Sequence, residues 1–518
     1  MHARNRGAMN RIVYFCFSRP DLDTAAREMV HLYFPDTEPT SITAAQLQHW
    51  CNQPEHDGVV IEGFVEDRAH SLECGVRLHS VRDGQLSCVE QQCSINLLPW
   101  EKQASGGRRG IRLLVNKLLA EYFKISKSPW GILRGIRPTK IVHRLLDRGF
   151  NTTFIQGFLV REYDVELLRA KLVTDIAIRQ RAFLLTAEQA RKVISIYIGI
   201  PFCPSRCLYC SFPAFSIDGA GQQVDRFLEA LRHEMWAVQE FLAERQIGVQ
   251  TIYIGGGTPT SLPDPLFRRL LDDVSQLFTG AQLREYTVEA GRPDTITEDK
   301  LSIMREYGVG RISINPQSMR EHTLLAIGRT HRPEDVEHAF RLARQFDFNT
   351  INMDIIAGLP GETPTDINYT LERIAALRPD NLTVHTLAVK RGSGLKEQSG
   401  FERTGADTVR AMLANCAMAT QVWGMSPYYL YRQKYMAGNM ENVGYALPGK
   451  ECLYNIQIME ERQTILGLGA AAATKAVCPA SWQLESCYNP KDVSTYIKGY
   501  QACLERKLAL LGRVLRRN

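Results

Sequence analysis

Between residues 193 and 425, six short β-rich runs alternate with six amphipathic segments, and this alternation limits the fold more than any other feature of the chain. The runs are VISIYI (193–198), TIYIG (251–255), YTVEA (286–290), RISIN (311–315), TINMDII (350–356) and NLTVHTL (381–387). Helical patterns lie near 222–245, 264–278, 298–307, 333–346, 364–377 and 407–423. A strand followed each time by a helix predicts a parallel sheet with its helices outside. In such folds the loops at the carboxyl ends of the strands carry the chemistry. The alternation alone does not say whether the sheet closes.

The flanks have other rhythms. Residues 1–190 open with a short apolar run, Ile12 to Phe17, which is too short for the apolar region of a signal peptide and reads as a first strand. The first eight residues read as a loose tail, with Met9 as an alternative start. An amphipathic helix follows through Ile111, Leu114, Leu118 and Tyr122, and a second helical stretch runs from about Val165 to Leu185. Residues 426–518 hold an aromatic run (Tyr428, Tyr429, Tyr431, Tyr435), a Gly/Asn-rich loop, the run TILGLGAAAATK and a basic C-terminal helix. The expected division is therefore 1–190, 191–425 and 426–518, the last covering the substrate.

Composition removes several classes. The 518 residues are 44% hydrophobic and 23% charged, which is globular rather than disordered. A net charge of +6 on so large a surface makes no strong field, so nucleic acid is not expected as a partner. No apolar run reaches the roughly 20 residues of a membrane span. Thirteen cysteines, an odd number without an export signal, argue against a disulfide framework and for the cytoplasm.

Three cysteines stand apart by spacing. Cys203, Cys207 and Cys210 form Cys-x3-Cys-x2-Cys in the loop that leaves the first strand. A structural zinc site needs four ligands, and no second pair follows. A disulfide would leave one thiol over. A [4Fe–4S] cluster usually takes four thiolates. With three, one iron keeps an open position for a small molecule. Buried thiols and zinc remain the alternatives.

This spacing resembles the radical S-adenosylmethionine (SAM) superfamily. Further motifs narrow the resemblance: YIGIPFCPSRCLYCSFPAF, YIGGGTPTSL, VEAGRPDTIT, INPQSM, NMDIIAGLPGE, LTVHTLAVKRGSGL, RQKYMAGNMENVGYALPGKECLYN and the earlier WGILRGIRPTKI. Over roughly residues 100–510 the chain resembles the oxygen-independent coproporphyrinogen III oxidase family, in its HemZ-type branch. The resemblance implies an α/β fold: a partial (β/α)6 TIM-like barrel with an α+β N-terminal domain and a small C-terminal α/β extension. It also implies a [4Fe–4S] cluster on Cys203, Cys207 and Cys210 with SAM on its open iron. By position, the SAM contacts it implies are Tyr197, Tyr209, Gly256, Gly257, Thr258, Glu289, Gln317, Arg329, Asp354 and Ala388. The residues themselves agree in part. Glu289 and Asp354 are acids closing otherwise apolar strands, and a buried acid needs a partner. A structural ion pair or a helix cap would also supply one. Taken by itself, Arg329 reads as a solvated charge and Gln317 as a loop residue.

The function implied is oxidative decarboxylation of coproporphyrinogen III to protoporphyrinogen IX, with a reductant such as flavodoxin or ferredoxin. A tetrapyrrole with four carboxylates calls for cationic rims and aromatic walls. The candidates are Arg292, Lys390, Arg391, Arg432 and Lys434, with Tyr429, Tyr431 and Tyr435 as walls. One departure bears on the substrate. The oxidases resemble Cys-x3-Cys-x2-Cys-x-Cys, and Phe212 stands here at the fourth position. Phenylalanine there resembles a related haem-handling branch. A haem-binding or haem-transfer protein is thus the second reading, with His385 as a candidate axial ligand. An RNA-modifying enzyme is the third, resting on the basic stretch of residues 100–145, which otherwise reads as a solvated helix face.

Overall fold

The computed structural model describes residues 12–515, except 35–36, 53–57, 69–70, 83–84, 99, 136, 391 and 398–400. The loose tail with Met9, and Arg391, lie outside the described residues. Two compact units are present. One joins residues up to 135 with 145–171; the other joins 136–144 with everything from 172 onward. The division thus falls before 190, because helix Leu167–Gln180 runs out of the first unit into the second.

The first unit is α+β. Its sheet holds β1 (Ile12–Phe17), β2 (Thr40–Ser41), β3 (Gly58–Asp67), β4 (Ser71–Arg82) and β5 (Gln85–Asn96) in the order β2-β1-β3-β4-β5. Helices Pro20–Tyr33 and Gln103–Phe123 cover one face, with Leu22, Met29, Ile111 and Leu118 fully or almost fully buried. Gly110 permits the close approach: a Cβ there would lie 2.4 Å from the Cys74 Sγ. Several cations of the basic stretch are spent on local acids. Arg109 is buried between Glu101 and Glu162, Arg112 pairs with Glu28 at 2.8 Å, and Lys127 with Asp164 at 2.9 Å. These ion pairs leave that stretch less able to meet phosphates.

The second unit is built on one eleven-stranded sheet. Its strands are β6 (Val193–Ile200), β9 (Gly248–Gly256), β10 (Glu285–Glu289), β11 (Arg311–Ser313), β12 (Thr350–Ala357), β13 (Asn381–Thr386), β14 (Ser426–Tyr431), β15 (Asn442–Ala446), β16 (Ile465–Gly469), β17 (Ala473–Val477) and β18 (Leu484–Tyr488). A separate pair, β7 (Phe202–Cys203) and β8 (Phe215–Ser216), sits in the cysteine loop. Strands β6, β9, β10, β11, β12 and β13 pair in parallel and in chain order. This is the expected six-unit partial barrel, and the sheet stays open. Residues 426–518 form no separate body. They extend the sheet at both ends, β15 antiparallel to β13 and β16 parallel to β6.

Period-two alternation decides the two faces of these strands. Ile194, Ile196, Ile198, Ile252, Ile254, Val288, Ile312, Ile351, Met353, Leu382 and Val384 are buried, on the face that meets the helices. The helix Asp264–Phe278 shows why they pack: Phe267, Leu270, Leu271, Val274 and Leu277 recur at helical spacing and are buried. The other face is polar, with Ser195, Tyr197, Thr251, Tyr253, Thr287, Glu289, Ser313, Asn352, Asp354, Thr383 and His385 in register across the strands. An ordinary parallel sheet is apolar on both faces. A polar inner face is one that a polar ligand could pair with. Among the described residues no helix is long and apolar enough to cross a membrane.

Candidate functional site

The cysteine loop is pinned from three sides. The Ile217 and Phe215 N–H groups donate to the Cys203 and Pro201 carbonyls, and the Leu208 N–H to the Ile327 carbonyl at 2.9 Å. The Leu208 carbonyl accepts from the Leu395 N–H and the Ser393 hydroxyl. Cys203 Sγ lies 3.4 Å from the Thr258 hydroxyl, and Arg292 Nη1 donates to Cys207 Sγ at 3.7 Å. Burial pushes the Cys203 thiol up to about 11 and raises Cys210, so these two thiols stay neutral until a metal takes their charge. Among the described residues no group of three His, Cys, Asp or Glu side chains is placed to hold a single metal ion. Three thiols on one short loop, close enough to repel one another as thiolates, are the donor set that an iron–sulfur cluster with one open iron would take.

The glycine run brings backbone against this loop. The Gly257 and Thr258 N–H groups donate to the Ile200 and Phe202 carbonyls, both at 2.7 Å. A Cβ on Gly257 would meet the Phe202 carbonyl oxygen at 2.4 Å, and one on Gly255 would meet the Glu289 carboxylate at 2.6 Å. Neither backbone nor a buried acid can yield cheaply. Gly257→Ala is therefore expected to cost about 1–3 kcal/mol by overpacking and to weaken SAM binding. Chemical denaturation and equilibrium dialysis read the two effects. An unchanged denaturation midpoint would show that the loop relaxes freely.

The two acids differ in environment. Glu289 accepts from the Tyr253 hydroxyl at 2.5 Å and the Gly256 N–H at 3.2 Å. Burial nevertheless pushes its carboxyl up to about 7. Asp354 accepts from Asn352 at 2.8 Å and lies 3.6 Å from His385 Nε2. Burial works against its ionisation too, but His385 and these hydrogen bonds hold it below the usual carboxylate range. Gln317 adopts a left-handed φ of 66°, and its backbone bridges to β12 through the Asp354 carbonyl and the Ile356 N–H. Among the described residues its buried side-chain oxygen has no hydrogen-bond partner, as also for Asn315 Oδ1, Thr287 Oγ1 and Ser313 Oγ. Orphaned polar atoms along one lumen are what a polar ligand would satisfy.

Tyr197 stacks on Tyr253 and Tyr454, and Tyr253 on Tyr454 at 4.4 Å. Arg329 is buried rather than solvated. It donates to the Asn315 carbonyl and, at 3.3 Å, to the Tyr209 hydroxyl. Ala388 pairs through its backbone with Met436, which brings the segment between β14 and β15 to the same end of the barrel. The cysteines, glycine run, Glu289, Gln317, Arg329 and Ala388 thus belong to strand ends and loops at one end of the barrel, and Asp354 to the inner face within β12. Tyr253 and Tyr454 escaped the sequence reading. Tyr253 carried a signal, being the partner of Tyr197 in the next strand. Tyr454 carried none: it enters through the helix Leu453–Glu460, whose first N–H groups donate to Glu285 below the lumen.

The candidate substrate residues separate. Arg292 and Arg432 are buried, the latter on the Asn439 and Met440 carbonyls. Lys434 and Tyr435 are exposed; Tyr429 and Tyr431 stack inside, and Lys390 is half-buried near Cys210. His385 is engaged on both nitrogens, by the Tyr431 hydroxyl at 3.1 Å and by Asp354, which does not suit an axial haem ligand. Phe212 is 60% exposed.

Comparisons with known proteins bear on the family, the fold and the cofactors. Residues 197–374 match the Radical SAM superfamily, which implies a [4Fe–4S] cluster and SAM. The chain is 43% identical over 387 residues to the oxygen-independent coproporphyrinogen-III oxidase-like protein HemZ of Bacillus subtilis (strain 168), spanning 74% of this chain and 77% of that one. It is 36% identical over 197 residues to the heme chaperone HemW of the same organism, spanning 38% of this chain and 51% of that one. The solved structure of coproporphyrinogen III oxidase (HemN) from Escherichia coli, a radical SAM enzyme, superposes with a TM-score of 0.50 at 22% identity, over 63% of this chain and 72% of that one, and so bears on the fold alone. Fold, cysteine loop and sequence similarity together place the chain in the radical SAM HemN/HemZ family.

Proposed function

We propose that this protein is a radical SAM oxidoreductase that oxidatively decarboxylates propionate side chains of a tetrapyrrole, coproporphyrinogen III being the substrate expected. The carrying observation is the meeting of the cysteine loop with the glycine run, two inward-facing carboxylates and the orphaned Gln317 oxygen on the polar inner face. Cys203, Cys207 and Cys210 would hold the cluster. Tyr197, Tyr209, Gly256, Gly257, Thr258, Glu289, Gln317, Arg329, Asp354 and Ala388 would hold SAM. Bound there, the pair supplies reductive cleavage of the sulfonium to a 5′-deoxyadenosyl radical. Each propionate would then give a hydrogen atom to that radical, forming 5′-deoxyadenosine, and lose CO2 and one electron, the electron passing to an external one-electron acceptor, to become a vinyl group. The chain's own part is to orient SAM and exclude water. Lys390 would anchor a substrate carboxylate, Tyr429 and Tyr431 would wall the macrocycle, and the segment between β14 and β15 would cover it. A small cytoplasmic electron carrier, flavodoxin or ferredoxin, would supply the electrons.

Anaerobic reconstitution with iron, sulfide, reductant, SAM and coproporphyrinogen III tests the reading. Product mass should fall by two CO2 and four hydrogens as 5′-deoxyadenosine forms. A second reading, a haem-transfer protein, is favoured by exposed Phe212 at the position of the fourth cysteine and by the similarity to HemW. Stoichiometric haem binding with deoxyadenosine but no decarboxylated product would decide for it.

Glu289 makes the site pH-dependent. Its carboxyl lies near 7 in the fold against an ordinary 4.5, so the folded chain disfavours the charged form. Ligand-free stability should be highest at acid pH with respect to this group and fall by about 3 kcal/mol between roughly pH 4.5 and 7. A cationic ligand reverses the preference. SAM affinity should then drop as pH falls below about 7, by up to roughly tenfold per unit. Glu289→Gln should flatten this profile and weaken binding at pH 8. A wild-type profile flat from pH 6 to 8 would remove Glu289 from the SAM site.

A further inference from the structure

The guanidinium of Arg292, expected from sequence at the substrate rim, lies instead against a cluster ligand. It follows β10 directly and is only 3% exposed. Its Nε and Nη2 donate to the two oxygens of Asp294, both at 2.9 Å. This fork leaves Nη1 aimed at the cysteine loop, where it reaches the Ser205 hydroxyl at 3.1 Å and Cys207 Sγ at 3.7 Å. The backbone is fixed as well: the Thr295 N–H and hydroxyl both donate to the Arg292 carbonyl, closing a turn that Pro293 begins. So held, the side chain has no freedom to reach out to a substrate carboxylate.

We propose that Arg292 is a positioning residue for electron transfer, raising the reduction potential of the cluster by presenting a buried positive charge and an N–H to the Cys207 ligand, with Asp294 moderating that charge. Reduction adds one negative charge to the cluster. A cation in a low-dielectric site stabilises that charge more than it does the oxidised state. Hydrogen bonds to ligand sulfurs, net charge and exclusion of solvent are the levers that set such potentials. Arg329 contributes in the same sense from the loop after helix Glu321–Ala326, since it too is buried and its charge acts on Cys207. His331 lies beside both guanidiniums with neither ring nitrogen partnered among the described residues. Burial first, then Arg329 and Arg292, hold its pKa down to about 4, so at neutral pH it adds no further charge. The electrostatics at Cys207 therefore rest on two arginines and one aspartate, and they have a sign that substitution can reverse.

This inference rests on Cys203, Cys207 and Cys210 as the cluster ligands, not on the identity of the substrate. The test is an EPR-monitored redox titration of the full chain after anaerobic reconstitution, with iron and sulfide counted in every sample. Arg292→Met should shift the one-electron equilibrium about tenfold toward the oxidised cluster, ~59 mV more negative. Asp294→Asn leaves the guanidinium less neutralised and should shift it the other way. Arg292→Lys keeps the charge without the fork and should fall between wild type and Met. A fully loaded Met variant with an unchanged potential overturns the proposal. So does a shift of both Met and Asn variants in one direction, which would report a disturbed loop. If the Met variant fails to hold iron, the Asp294→Asn result decides: a rise supports the role and no rise rejects it. A wild-type chain that takes up no iron fails at the cysteine assignment, which the iron count reports separately.

Discussion

An anaerobically reconstituted Cys207→Ala chain is expected to hold no cuboidal cluster and to release no 5′-deoxyadenosine. Three thiolates are the least that can hold the cube with one iron open, so losing one removes the grip as well as the open site. Cys207 is the most buried of the three and the one that both guanidiniums approach. Left without the cube, those buried cations would face a methyl group. Cys416→Ala is the matched control: it too is buried, on the outer helix Ala406–Val422. That variant should keep iron content and SAM cleavage close to wild type, because a buried thiol away from metal behaves as a small apolar side chain. Iron analysis and dithionite-reduced EPR check both. A Cys207→Ala protein with full iron and a cuboidal signal would transfer the cluster to other residues.

The second large effect is on stability. Glu234 sits fully buried in the helix Gly221–Glu244, and four donors converge on its carboxylate. They are the Gly469 N–H at 2.8 Å, Asn489 at 3.0 Å, the Tyr496 hydroxyl at 2.7 Å and the Lys507 ammonium at 2.5 Å. Lys507 is as deeply buried and donates also to the Gly467 carbonyl. The network ties the last helix, Val493–Val514, to the first barrel helix and to β16. Lys507→Met would leave a buried carboxylate without its cation, which costs about 3–5 kcal/mol. Replacing both partners, as Glu234→Leu with Lys507→Met, should recover part of that loss, since an apolar pair needs no desolvated charge. Urea denaturation of the single and double variants measures the difference. A Met variant as stable as wild type would mean that the pair is already uncharged in the fold.

Much of the barrel was legible because its strands and helices are local patterns. The runs at 193–198, 251–255 and 350–356 became β6, β9 and β12 within a few residues, and the helix ends agree closely. The glycine run was legible because backbone approach leaves few residue types open. The short helix Glu321–Ala326 was missed, being too brief to show a period. Arg292 was misplaced for a different reason. An arginine beside a proline looks the same in sequence whether it faces solvent or a sulfur ligand.

The division between the two kinds of knowledge is physical. The repeating βα order, the cysteine spacing and the glycine run after the second strand could be read along the chain, because each is set by neighbouring residues, whereas Asp354, read as closing its strand, lies inside β12. Long-range packing settled that β16 pairs with β6, that Tyr454 stacks on Tyr253, that the inner face of the barrel is polar, and that Arg292 turns to Cys207. Those are contacts between segments tens to hundreds of residues apart. Their formation depends on which surfaces remain unburied once the local elements exist, and no window of sequence contains that sum.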